Sequence, residues 1–434
     1  MKRFYALLFS LFTLFLFAAP PQVITSITPD ETIVTSGTVV RFTGRITRGD
    51  DIPENAKVVY EEFFNGMRTR NGDLAFDEDV TLEYQAGEAG WYMVRLAIIS
   101  VDNKPLMVGN QYISGGRGLM IDPQNIQISY PRPADFDEFW NSRRALLDTV
   151  PIQELERRQI DYQGDFADRV VVYDVKVACA GSKPVSGILT MPEDAAEKSL
   201  PAIVHFQGAG VHSATPTAHY ALGAISFMIN ANGNENLREK EYYDALRNGE
   251  LRNYMQKNKD DREKFHFHDM FLRVMRALDY VKSLPQWNGK ILVVSGGSQG
   301  GAQAIVAAAM DPQVTLMIAE VPAMCDHHGY LMTPRRRQGW PWLYYDNRNP
   351  AIIETASYYD MVNFASRIRC ESFITAGMTD MICSPVGVTC VFNAIPAENK
   401  HFLIHPTGDH VGPQRDAVFR RTWVNRMFAH FKER

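Results

Sequence analysis

Disulfides are the first thing this chain cannot rely on. Its 434 residues include 5 cysteines, Cys179, Cys325, Cys370, Cys383 and Cys390, an odd number whose spacing matches neither a disulfide framework nor a metal site. They are expected to be small buried hydrophobes. A surplus of positive charge is missing too. The formal net charge is -5 and there is no long basic run, which argues against nucleic acid as a partner. The densest basic cluster, Arg335-Arg336-Arg337 near Trp340, Trp342 and Tyr344, reads as a solvated loop face. The apolar run from Ala6 to Ala19 is too short for a comfortable membrane span, follows Lys2 and Arg3, and ends in small residues before Pro20-Pro21. It reads as an export signal over residues 1–20. An uncleaved anchor is the alternative, because Phe17 falls where a small residue is preferred. With no cysteine near the end of the run, a lipid anchor is not expected. After removal of the signal no stable membrane insertion is expected, and the product would be periplasmic or secreted.

What is present is ordinary for a globular protein: 45% hydrophobic and 22% charged residues, at a length that favours two domains. Residues 22–129 read as an all-β sandwich. Thr38–Gly44, Lys57–Glu61 and Gly90–Ala97 are short β-branched or aromatic runs, separated by turn signals at Arg48-Gly49-Asp50-Asp51, Asn65-Gly66 and Asn71-Gly72-Asp73. This part carries no cluster of Cys, His or paired carboxylates, so an accessory role is expected, with Trp91 and Tyr92 as core aromatics rather than sugar platforms.

Past Tyr130-Pro131-Arg132-Pro133 the pattern changes. A helix over Asp135–Leu147, with Phe136, Phe139 and Trp140 on one face, leads into strands at Arg169–Ala178, Ser186–Met191, Leu200–Phe206, Ala224–Asn230, Thr315–Glu320, Ser372–Ala376 and Lys400–His405. Helical stretches at Glu235–Asn258, Phe265–Leu284 and Asp416–Lys432 alternate with them. Residues 130–434 therefore predict a mostly parallel, doubly wound α/β sheet of the α/β-hydrolase type. Its centre is Ile291-Leu292-Val293-Val294-Ser295-Gly296-Gly297-Ser298-Gln299-Gly300: a buried strand, a Gly-x-Ser-x-Gly turn and an Ala-rich helix, the setting of a nucleophile elbow. In it Ser298 takes strained angles, and the N–H of Gln299 points at the oxygen of an attacked carbonyl. The Gly-rich loop after Leu200–Phe206 is where this architecture places a second oxyanion donor. Two further strand ends carry Asp380 and His410, in the order Ser, acid, His that the fold requires. His410 would take the Ser298 proton and Asp380 would hold the imidazole. Three rivals are weaker. Asp409 is too close in the chain to reach the ring of His410, and His405 lies within a strand as an expected core histidine. Cys325-Asp326-His327-His328 could line the pocket but is poor in carboxylates for a metal.

From Arg132 onward the chain resembles carbohydrate esterase family 7, the acetyl xylan esterase and cephalosporin C deacetylase group. The resemblance rests on Arg132–Trp140, Gly296–Gly301, Tyr358–Ala365, Gly377–Pro385 and Gly408-Asp409-His410. It implies Ser298, Asp380 and His410 as triad, with the backbone N–H groups of Gln299 and Ala209 as oxyanion donors; the family usually has tyrosine at the latter position. It implies no metal or other cofactor, a small acetylated carbohydrate as substrate, and a homo-oligomer, a hexamer with its sites facing an internal chamber. The chain departs from the pattern twice. Asn230-Ala231-Asn232-Gly233-Asn234 stands where an Arg-Gly-Gln signature belongs, and Val411 replaces the glutamate after the histidine. The expected activity is removal of acetyl groups from small carbohydrates such as xylo-oligosaccharides through an acyl-enzyme. The alternatives are an exported hydrolase of another ester or peptide, and an inert carbohydrate-binding protein of the same fold, against which an intact triad argues.

Overall fold

The computed structural model of the protein describes residues 20–108, 111–343, 349–411 and 417–432. The export segment up to residue 19, Tyr344 and Asp416 lie outside the described residues. Ten strands come first: β1 (Val23–Thr28), β2 (Ile33–Val34), β3 (Val39–Ile46), β4 (Lys57–Phe64), β5 (Met67–Leu74), β6 (Val80–Gln85), β7 (Gly90–Ile99), β8 (Met107–Val108), β9 (Gln111–Tyr112) and β10 (Ser114–Ile121). They form a three-stranded sheet, β1-β3-β6, a five-stranded sheet, β2-β10-β7-β4-β5, and the short pair β8-β9. The two larger sheets share a core of Val40, Phe42, Leu82, Tyr92, Val94, Leu96 and Leu119.

The run Gly90–Ile99 has almost no polar side, and its burial explains why. Side chains alternate across a strand. Tyr92, Val94 and Leu96 face the three-stranded sheet, while Trp91 and Met93 join the core of the α/β region. A strand covered on both faces reads as continuous apolar sequence.

Nine strands follow: β11 (Glu154–Gln159), β12 (Val170–Val177), β13 (Val185–Pro192), β14 (Leu200–Phe206), β15 (Ile225–Ile229), β16 (Trp287–Gly297), β17 (Leu316–Glu320), β18 (Glu371–Gly377) and β19 (Lys400–His405). Their order is β11-β12-β13-β15-β14-β16-β17-β18-β19. Pairing is parallel from β15 through β14 to β19 and antiparallel from β11 to β15. This is the mostly parallel α/β-hydrolase sheet that the alternating pattern predicts. The central strands carry the apolar runs: Ile203, Val204, Leu292, Val293 and Val294 are fully buried. The edge strand β11, ELERRQ, is exposed at every residue, and its charges discourage edge-to-edge pairing.

Several expectations need correction. Asn71-Gly72-Asp73 is not a turn but the end of β5. Gly72 is there because a Cβ would lie 2.6 Å from the Tyr60 ring, so the ring crosses the neighbouring strand over bare backbone. The helix expected over Glu235–Asn258 shrinks to Lys240–Asn248 and a turn at Tyr254–Gln256. The Arg335–Arg337 cluster is not uniformly solvated: Arg335 stacks on Tyr330, whereas Arg336 and Arg337 donate to the carbonyls of Gln127 and Met381. Helices at Pro350–Tyr358, Met361–Ala365 and Pro385–Ala394 sit in stretches whose sequence pattern predicts no element. All five cysteines are free; Cys325, Cys383 and Cys390 are buried and the other two half-buried. Among the described residues no helix is long and apolar enough to cross a membrane.

Candidate active site

The site grows from the end of β16. Ser298 follows it with φ 57 and ψ -122, a region that costs a non-glycine residue on the order of 1–3 kcal/mol and persists only where the surroundings enforce it. They do. Ser298 N–H donates to the Glu320 carbonyl at 2.9 Å, and its own carbonyl accepts from Ala323 N–H at 3.0 Å and from Ala302 N–H at 3.1 Å. The helix Gln299–Met310 starts at the next residue. It leaves so close to β14 that a Cβ on Gly300 would lie 2.1 Å from the Phe206 carbonyl oxygen, which no side chain survives.

Asp380 sits in the turn after β18 and is fully buried. One carboxylate oxygen accepts from the N–H groups of Ile382 and Cys383 at 2.8 and 2.9 Å. The other lies 2.9 Å from His410 Nδ1, and His410 Nε2 is 3.0 Å from Ser298 Oγ. With the proton on Nδ1 held by Asp380, Nε2 accepts from the serine hydroxyl. Burial pushes the His410 pKa down, but the hydrogen bond and charge of Asp380, with the charge of Asp409, outweigh it and raise the pKa above the usual 6.5.

Ser298 and His410 open onto a cleft of about 470 Å³ lined also by Ala209, Trp340, Ile382 and Val411. Ala209 belongs to the loop after β14, and two buried networks fix that loop. In the first, Gly210 N–H donates to the Tyr254 hydroxyl at 3.2 Å, and that hydroxyl donates to Gln299 Oε1 at 2.7 Å. The residue after the serine and the loop opposite are thereby tied together. In the second, Asn232 Nδ2 donates to the Gly210 carbonyl at 3.0 Å and Asn230 Nδ2 to the His212 carbonyl at 2.9 Å. The Asn-rich segment that departs from the Arg-Gly-Gln signature is therefore a buried clamp on the Ala209 loop. His266 Nε2, 2.9 Å from Asn232 Oδ1, completes it.

The rivals lie elsewhere. Asp409 accepts from Val411 N–H. His405 is half-buried rather than a core residue, because β19 is the edge strand. Asp326, His327 and His328 are buried and bonded to Ser129, Gly339 and Ser357, respectively. Sequence reasoning missed Tyr254 and Trp340, which sit in no motif, and missed the clamping role of Asn232, which shows in the sequence only as a departure from a signature.

Comparison with known proteins agrees with this architecture. The model of the family described as acetyl xylan esterase (AXE1) matches residues 124–423. Acetyl esterase Axe7A of Xylanibacter ruminicola is 30% identical over 316 residues, 70% of this chain and 70% of that protein. The fold is shared with the acetyl xylan esterase of Paenibacillus sp. R4, with TM-score 0.60, 22% identity and 71% of this chain on 98% of that one. Acetyl xylan esterase 1 from Thermoanaerobacterium sp. JW/SL YS485 gives 0.58 and 21% over the same shares. The chain belongs to the acetyl xylan esterase family and is a carboxylic ester hydrolase of the α/β-hydrolase fold.

Proposed function

We propose that this protein removes acetyl groups from small acetylated carbohydrates, foremost xylo-oligosaccharides, with Ser298 as nucleophile, His410 as general base and acid, and Asp380 as the residue that orients it. The observation that carries this reading is the unbroken chain from Asp380 Oδ2 through both nitrogens of His410 to Ser298 Oγ, at 2.9 and 3.0 Å, opening onto the cleft beside Ala209.

In the first half-reaction Ser298 Oγ attacks the acetyl carbonyl while His410 Nε2 takes its proton. The oxyanion is stabilised by the N–H groups of Gln299 and Ala209. His410 then protonates the departing sugar oxygen, leaving an acetyl-serine. Water attacks that ester with its proton passing to His410, and acetate leaves as the proton returns to Ser298. Asp380 keeps the Nδ1 proton in place throughout and stabilises the imidazolium. Trp340 offers the flat apolar surface on which a sugar ring can lie. Export belongs to the same reading, supported by Lys2 and Arg3 ahead of the apolar run Ala6–Ala19.

The test is acetate release from acetylated xylo-oligosaccharides by the wild type beside Ser298→Ala. Release by the wild type and a loss of about 10⁴-fold or more in the variant is the expected result. Equal activity in both removes Ser298 from the mechanism. No release from the oligosaccharides, with a small acetate ester still cleaved, keeps the esterase and discards xylan fragments as its substrate.

A further inference from the structure

The family match begins at residue 124, after β10 has ended at Ile121. The strands before it, with the turn at Asn65 between β4 and β5, nevertheless touch three segments of the candidate active site. Trp91 on β7 is fully buried, and its indole N–H donates to the carbonyl of Met378 at 2.9 Å, two residues before Asp380. Gly118 on β10 donates its N–H to the carbonyl of Pro406 at 3.0 Å, at the start of the loop that carries His410. A Cβ on Gly118 would lie 2.7 Å from the Met378 carbonyl oxygen, so the acid loop is seated on bare backbone. At the third contact, Arg337 N–H donates to the Asn65 carbonyl at 2.8 Å, while Arg337 Nε donates to the Met381 carbonyl at 2.5 Å. Trp340, a wall of the cleft, lies three residues further on.

These contacts converge on one small unit. Met378 N–H donates to the His405 carbonyl and Thr379 N–H to the Gly408 carbonyl, both at 2.9 Å. The acid and histidine loops therefore move together. The indole is itself clamped, because Trp91 N–H donates to Asn65 Oδ1 at 2.9 Å and Asn65 N–H to the Trp91 carbonyl at 2.7 Å. Core packing alone would be met by phenylalanine. A tryptophan whose polar edge ends on the peptide beside the acid does something further.

We infer that β7 and β10 act as a brace for the acid and histidine loops, with Trp91 as a positioning residue whose indole N–H fixes the Met378 peptide and thereby aims the Asp380 carboxylate at His410. The inference rests on the reading of Ser298, His410 and Asp380 as the triad. It gives the strands outside the family match a part in the reaction without any contact to substrate.

Trp91→Phe keeps the ring and removes the donor. It is to be assayed in the full chain on a small acetate ester, beside Ser298→Ala and Phe42→Leu. Phe42 is equally buried, but in the three-stranded sheet, and it controls for loss of stability. The expected result for Trp91→Phe is a kcat about tenfold lower with KM unchanged, a partial form of the loss that a misplacement of about 1 Å can cause. The acid limb of kcat/KM should also move to lower pH, because among the described residues the groups facing His410 are Asp380, Asp409, Ser298 and Cys383 and only the hold on Asp380 has been loosened. Phe42→Leu should lower Tm at least as far and leave kcat and the pH profile alone. Gly118→Ala presses on the same Met378 carbonyl from β10 with Trp91 intact, and should show the same split between kcat and KM even if Trp91→Phe does not fold. Unchanged kcat and acid limb in the foldable variant overturns the brace, as does an equal kcat loss in Phe42→Leu. An active Ser298→Ala would instead bring down the triad reading, so the two failures are separable.

Discussion

The two sides of the candidate active site are held by different parts of the chain. On the nucleophile side the hydrogen bonds among the described residues that hold Ser298 and the Ala209 loop come from within the family match. Ser298 is bonded to Glu320, Ala323 and Ala302, and the Ala209 loop is clamped by Asn230, Asn232 and Tyr254. On the acid side the Met378–Asp380 turn and the loop to His410 lean on Trp91 and Gly118, which precede residue 124, where the match begins. The difference follows from topology. β14, β16 and β17 are central strands, and the loops at their ends can brace one another. β19 is the edge strand and β18 the next one in, so the paired loops that follow them have no further strand-end loop of that sheet on their outer side. The five-stranded sheet supplies the support instead.

The largest effect expected on the acid side is that of Asp380→Asn. The carboxamide oxygen can still accept from Ile382 and Cys383 N–H, so the turn should survive while the imidazole loses its anionic partner. A kcat lower by about 10⁴ with little change in KM is expected, read from steady-state kinetics. A loss smaller than about tenfold would mean that another group orients His410 and that the brace acts on the wrong residue.

On the nucleophile side the matching substitution is Asn232→Ala, which frees the Gly210 carbonyl and leaves His266 without its 2.9 Å partner. The Ala209 N–H is displaced rather than deleted. The loss should therefore fall short of the 10²–10³ that follows removal of an oxyanion donor outright, and about tenfold in kcat is expected. The acid limb of kcat/KM should stay in place, because nothing around Asp380 changes. Combined with Trp91→Phe, the two losses should multiply, since the sites share no partner. A combined loss no larger than either alone would show that the two sides are one unit and erase the distinction.

These contacts also mark what could be read from the sequence. Ser298, Asp380 and His410 could be chosen because each follows an apolar strand, in the one chain order the fold allows. The central strands were legible because burial on both faces leaves runs such as Leu200–Phe206 and Ile291–Val294. The supports were not. Trp91 and Met378 are 287 residues apart, and nothing local distinguishes an indole that donates to a loop of the candidate site from one that only fills a core. Tyr254 lies in a polar stretch whose pattern reads as helix, and its bonds to Gln299 and Gly210 are to residues far away in the sequence. The Asn-rich segment was legible only as a departure from a signature. Its function appears when the side-chain amides are seen on the carbonyls of the facing loop.

Acid should separate the two regions too, with a smaller effect than the substitutions. All 11 histidines lie at or beyond His205, so the N-terminal sheets have no group of that type to titrate. In the α/β region burial holds His205, His266 and His328 down to about 3 and His327 to about 4. These four stay neutral in the folded chain, while their unfolded counterparts take up protons as pH falls through 6.5. The unfolded state then binds more protons, so stability drops with pH over that interval. Three groups act in the opposite sense. Burial, with Asp326 close by, raises Asp360 to about 7 and raises Asp326 as well, so the folded chain gains protons there first. His410, raised by Asp380, contributes stability that is fully present below 6.5. Four histidines outweigh these, and Tm should fall by several degrees between pH 7 and pH 5 in thermal melts. Hydrogen exchange should show the loosening in β12–β18 before β3–β7. A Tm that holds or rises would mean that protonation of the buried carboxylates dominates. Earlier exchange in β3–β7 would mean that the brace, rather than the body it supports, is the part that acid releases.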